Sequence, residues 1–122
     1  MAMKMEKVVS IPTGQHTGII TRCHETTKTF DPRKGPEGVV EVTIQPAYNT
    51  PGHRTLPVSV VFSPSLNSLS AFGAFVARMG ITLADGQDFN PEDLEGKEVA
   101  FESKEKDDGF VQIIKDSIRL KK

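Results

Sequence analysis

Apolar and polar residues alternate through most of this chain, and the period of the alternation changes once. In GVVEVTIQPA, residues 38–47, Val40, Val42 and Ile44 fall on one side and Glu41, Thr43 and Gln45 on the other. That is a strand with one packed and one solvated face. HTGIITRCHETTKTF, residues 16–30, is rich in Ile, Thr and Phe and follows the turn signal Pro12-Thr13-Gly14, so it reads as an earlier strand. Gly18 within it predicts a bulge or sharp bend. TLPVSVVFSP, residues 55–64, alternates Leu56, Val58, Val60 and Phe62 with Pro57, Ser59 and Val61. Pro57 cannot donate to a ladder and belongs at the start or the edge of this third strand.

Over residues 65–80 the period lengthens to that of a helix. Leu66, Leu69, Phe72, Val76 and Met79 form one stripe, Phe75 widens it, Ser63 or Ser65 can cap its start and Gly80 suits its end. Asn90 to Leu94 predicts one capped helical turn stopped by Gly96. KEVAFES, residues 97–103, and GFVQIIKDSIRL, residues 109–120, predict two further strands joined at Asp107-Asp108-Gly109.

The order strand, strand, strand, helix, strand, strand predicts an all-β protein with one helix, a five-stranded OB-fold barrel whose helix plugs one end. An SH3-like barrel lacks such a helix, and a ferredoxin-like fold needs two. At 122 residues the chain fits one domain, residues 1–122, with residues 1–11 as a flexible or edge-strand arm. The single Cys23 allows no internal disulfide. No apolar run is long enough for a signal peptide or a membrane span, so the expectation is a cytoplasmic protein.

Charge divides the chain. Its net charge is -1, yet residues 1–84 sum to +3, residues 85–108 to -7 and the last fourteen to +3. One part should repel nucleic acid while another attracts it.

Two segments resemble a known family. LEGKEVAFESKEKDDGFVQIIKDSIR, residues 94–119, has a Leu-x-Gly-Lys-x-Val strand start, an acidic turn and a closing strand, and PTGQHTGIITRCHE, residues 12–25, has a Gly-containing first strand. Both resemble small OB-fold proteins related to phage and archaeal single-stranded-DNA-binding proteins. The resemblance implies binding of single-stranded nucleic acid, often as a replication or recombination accessory. Relative to that pattern this chain lacks Trp and carries an acidic turn where binding loops are often basic.

On an OB-fold, oligonucleotides cross the second and third strands between flanking loops, with cations on phosphates and aromatic rings against bases. The first loop, KTFDPRKGPEG, offers Lys28, Arg33 and Lys34 for phosphates and Phe30 for stacking, and the next loop adds Tyr48, His53 and Arg54. Arg22 shares a strand face with His24 and Ile20 by period two, either to contact phosphate or to pair with Glu41. The expected partner is single-stranded DNA or RNA, with no cofactor, metal or membrane. The small face Ala71, Gly73, Ala74 and Ala77 allows a homo-oligomeric contact. The alternative is a phage- or plasmid-type accessory subunit, a protein-interaction barrel whose acidic 85–108 segment meets a basic partner or replication protein.

No acid, base and nucleophile converge in the sequence, which predicts no enzyme. Cys23 and His24 are adjacent in a strand and point to opposite faces, which argues against zinc.

Overall fold

A computed structural model describes residues 5, 7–49, 51–67 and 69–121. Among the described residues the regular structure is mostly strand, with one α-helix. In chain order the elements are β1 (Val8–Val9), β2 (Gly14–Lys28), β3 (Glu37–Pro46), β4 (Arg54–Thr55), β5 (Val58–Phe62), α1 (Ala71–Arg78), a 3-10 turn (Pro91–Leu94), β6 (Glu98–Glu105), β7 (Val111–Ile113), a second 3-10 turn (Lys115–Ser117) and β8 (Arg119–Leu120). The main sheet is antiparallel, runs β5-β3-β2-β6-β7 and has β8 also on β6. It curls into a half-barrel around a core that includes Ile20, Val42, Ile44, Phe62, Phe75 and Phe101. β1 and β4 form a separate parallel pair. Within the expected arm, Ile11 is buried in this core, whereas residues 1–4 and 6 lie outside the described residues.

β2 holds the sheet together because it is long enough to serve two neighbours. Its first part pairs with β6, Gly14 opposite Ser103, and its second part with β3, Lys28 opposite Glu37. Gly18 belongs to both ladders, opposite Pro46 and Val99. The register shift lies between Ile20 and Arg22, beyond the glycine expected to carry it.

That shift corrects one expectation. Arg22 and His24 share a face, but Ile20 does not share it with them: Ile20 is buried, Arg22 is exposed, and Cys23, between Arg22 and His24, returns to the core. One extra residue reverses the facing of everything after it. The main chain at the shift finds partners outside the ladder. The Ile20 N–H donates to the Lys97 carbonyl at 3.0 Å, the Gly96 N–H donates to Ile20 at 2.7 Å, and the Cys23 N–H donates to Glu95 Oε2 at 3.0 Å.

The helix begins at Ala71, six residues later than the periodicity predicts. Asn67 Oδ1 accepts from the Leu69 N–H at 2.8 Å, a local turn that competes with helix, and Ser70 Oγ then caps by accepting from the Gly73 N–H at 2.9 Å. Leu66 and Leu69 are consequently exposed, and only Phe72, Phe75 and Val76 of α1, followed by Met79, fill the core. Ser68, inside the expected helix, lies outside the described residues.

Gly73 has an explanation other than a subunit contact, because a Cβ there would collide with the carbonyl of Asn67 in the same chain. The last expected strand is also split. Ser117 Oγ donates to the Ile114 carbonyl at 2.6 Å and accepts from the Glu102 N–H at 2.8 Å. The resulting turn lets Ile113 and Ile118 both point inward.

Candidate functional site

The outer face of the sheet is built in rows by the registers of β2, β3 and β5. Arg22 lies opposite Thr43, which lies opposite Ser59; His24 lies opposite Glu41, which lies opposite Val61. Residues paired across a ladder share a face, so one row presents a guanidinium and two hydroxyls. Thr43 Oγ1 and Ser59 Oγ are 3.1 Å apart. Arg22 is exposed and forms no ion pair among the described residues. Glu41, the expected alternative partner of Arg22, pairs with Lys28 at 2.7 Å.

At the Lys28 end of this face is the 29–36 loop. Asp31 organises it. Its carbonyl accepts from the N–H groups of Lys34 at 2.9 Å and Gly35 at 3.2 Å, while Oδ1 accepts from the Arg33 N–H at 3.0 Å. Gly35 has a φ of 77°, which a side chain would strain. Asp31 also lies 3.7 Å from the Arg33 guanidinium, whose side chain is 94% exposed. Such a pair contributes roughly 0–1 kcal/mol and leaves the guanidinium available to an anion. Lys34 is exposed, and Phe30 holds its ring 60% exposed.

Tyr48, His53 and Arg54 lie at the opposite end. β3 has 10 residues between the two loops, about 30 Å at a rise of ~3.3 Å per residue. The first-loop group and the second-loop group therefore do not converge on one point; they lie beyond opposite ends of β3, and Arg22, opposite Thr43, lies between those ends. His53 is exposed and donates from Nδ1 to the Pro51 carbonyl at 3.1 Å. Arg54 is exposed in β4, where its N–H donates to Lys7 at 2.9 Å. Tyr48 is half-buried rather than free in its polar turn. It packs on the core and meets the His16 ring edge-on, centroids 6.0 Å apart at 88°.

Sequence reasoning missed Phe110, which is 72% exposed in the β6–β7 hairpin. Period two was the available signal, since Val111 and Ile113 face inward and Phe110 and Gln112 fall on the other side. Its N–H donates to Asp108 Oδ1 at 3.0 Å, so the acidic turn holds an apolar ring in solvent. His16 and Arg119 were also overlooked as neighbours of Tyr48; they come together through ladder registers that one sequence does not reveal.

Among the described residues no three His, Cys, Asp or Glu side chains are grouped closely enough to hold a metal ion, and no helix is long and apolar enough to cross a membrane. No protein-family model matches this chain, and no curated protein matches it in sequence.

Cys23 has a strongly shifted proton affinity. Burial, then the carboxylates of Glu95 and Glu92, push its thiol from 9.0 up to about 12. The folded state thus favours the neutral thiol. Its contribution to stability is complete below pH 9.0 and is lost as pH rises through about 12, because the unfolded chain ionises first. Urea midpoints should therefore fall faster above pH 9 for the wild type than for Cys23→Ala. Parallel curves would exclude this linkage.

Proposed function

We propose that this protein is a non-enzymatic OB-type module that binds single-stranded nucleic acid, as a replication or recombination accessory would. The carrying observation is the exposed Arg22, without an ion pair among the described residues, in a row with Thr43 and Ser59 and lying between a loop with Phe30, Arg33 and Lys34 and a loop with Tyr48. A strand laid along that face meets cations for its phosphates, hydroxyl donors, and an aromatic ring near each end. Its length suits a strand of several nucleotides, within the ~4–16 that one OB-fold occupies.

The connectivity supports this reading: α1 separates β5 from β6, and the path β5-β3-β2-β6-β7 is compatible with an OB barrel opened at one seam. At that seam β5 and β7 approach within 8 Å between Cα atoms and line a groove with Ile11. In the OB reading these strands form the closing pair.

Fluorescence anisotropy of a labelled oligo-dT tests the function. Binding should weaken markedly between about 50 and about 200 mM salt, and the double variant Arg22→Ala, Lys34→Ala should reduce the log–log salt slope by about 1.4 if each cation neutralises one phosphate. No association at the lower salt, or association indifferent to salt, would reject the reading. The protein-interaction alternative draws support from Phe110, an exposed ring held on an acidic hairpin with Asp107 and Asp108, which suits a basic partner with an apolar pocket.

A further inference from the structure

A second recess lies away from the row of Arg22, where the start of β2, the residues after β3, and β6 and β8 meet. It is a cavity of about 400 Å³ lined by residues that include Gln15, His16, Thr17, Tyr48, Ala100 and Arg119. We infer that this recess receives one nucleobase of a bound strand against Tyr48, with an adjoining phosphate on Arg119. The inference rests on the proposed function and adds to it a specific subsite.

Three features support it. Tyr48 is positioned before any ligand arrives: its carbonyl accepts from Thr55 Oγ1, the preceding Ala47 N–H donates to Thr17 at 2.8 Å, and His16 stands edge-on against its ring. His16 is itself fixed, Nε2 donating to the Pro12 carbonyl at 2.7 Å while its ring lies 5.9 Å from that of Phe101. An aromatic ring immobilised in this way loses little freedom when a base stacks on it.

Arg119 is exposed, and among the described residues its guanidinium donates to one acceptor, the Ser117 carbonyl at 2.9 Å. A guanidinium has five N–H donors, so most of its planar fork remains for a phosphate. The carboxylates two positions either side of its ladder partner Ala100 are engaged: Glu102 accepts from Gln15 Nε2 at 3.3 Å, and Glu98 pairs with Lys121 at 3.6 Å. Gln15 Nε2 is directed to Glu102, and its Oε1 can accept from the polar edge of a base.

The chain contains one Tyr and no Trp, so tyrosine emission reports on this recess alone. The full chain is titrated with labelled oligo-dT and with an abasic strand of equal length and charge, anisotropy and tyrosine emission being read together. Oligo-dT should quench Tyr48 in proportion to occupancy, and the abasic strand should bind more weakly without quenching. Tyr48→Ser should lose about tenfold in affinity while Tyr48→Phe retains it. Arg119→Gln should lose severalfold while the emission of the free protein stays unchanged.

Binding of oligo-dT with unaltered tyrosine emission and full affinity in Arg119→Gln would overturn the subsite and leave the proposed function standing. Absence of any binding at low salt would overturn both.

Discussion

Phe75→Ala should cost about 3–5 kcal/mol of stability, a large part of the ~5–15 kcal/mol that holds a domain of this kind together. Phe75 is 0% exposed and is the innermost ring of α1. It stacks on Phe62 with centroids 5.0 Å apart and lies 6.1 Å from Phe72. Truncation removes the transfer energy of a whole ring and leaves a cavity between the helix and β5.

The helix has 8 residues, too few to persist in water without packing, so α1 cannot compensate by local stability. Its other attachment is Arg78, which donates to the carbonyls of Ile118 at 2.8 Å and Lys115 at 3.2 Å. Loosening α1 should therefore also loosen the β7–β8 segment. Urea unfolding followed by circular dichroism would measure the loss, with Phe75→Leu expected to retain more than half of the difference. A Phe75→Ala midpoint close to that of wild type would mean that the helix is not seated as described.

The strands were legible where one face is wet. Val40, Val42 and Ile44 alternate with Glu41, Thr43 and Gln45, and β3 follows that pattern within one residue at each end. The helix start was not legible from periodicity, because Leu66 and Leu69 continue the apolar spacing. What ends the helix there is hydrogen-bond competition from Asn67 and Ser70, which hydrophobic spacing does not register. Nor does alternation distinguish one long last strand from two short ones, since Ile113 and Ile118 are odd-spaced and need the Ser117 turn to face the same way.

The candidate site was legible in residue type and illegible in grouping. The basic and aromatic content of the 28–38 loop could be read from the sequence. That Lys28 is occupied by Glu41, that Arg22 is turned outward by a shifted register, and that Tyr48 has His16 and Arg119 as neighbours are consequences of pairing between distant segments.

Gly18→Val should destabilise the protein by about 3 kcal/mol, and Gly18→Ala by about 1–2 kcal/mol, against the direction that strand propensity predicts. In an ordinary strand either substitution would be favourable, because glycine loses the most backbone freedom on folding. Gly18 is kept for space. A Cβ at this position would lie 2.7 Å from the Gln45 carbonyl oxygen and 2.8 Å from Ile44 Cγ2.

Neither obstacle can yield at small cost, since one is main chain in the β2–β3 ladder and the other belongs to a fully buried side chain. Gly18 also pairs with Val99, so displacement of β2 away from β3 would press it toward β6. The next residue back is Thr17, whose carbonyl accepts the Ala47 N–H and so sets the position of Tyr48. Two readouts should consequently move together in the Gly18 variants: the urea midpoint should fall, and the emission of the single tyrosine should change in the folded state before any ligand is added. A stable Gly18→Val protein with native tyrosine emission would show that β2 and β3 can separate at this point without cost, and that the close approach at Gly18 does not position the recess.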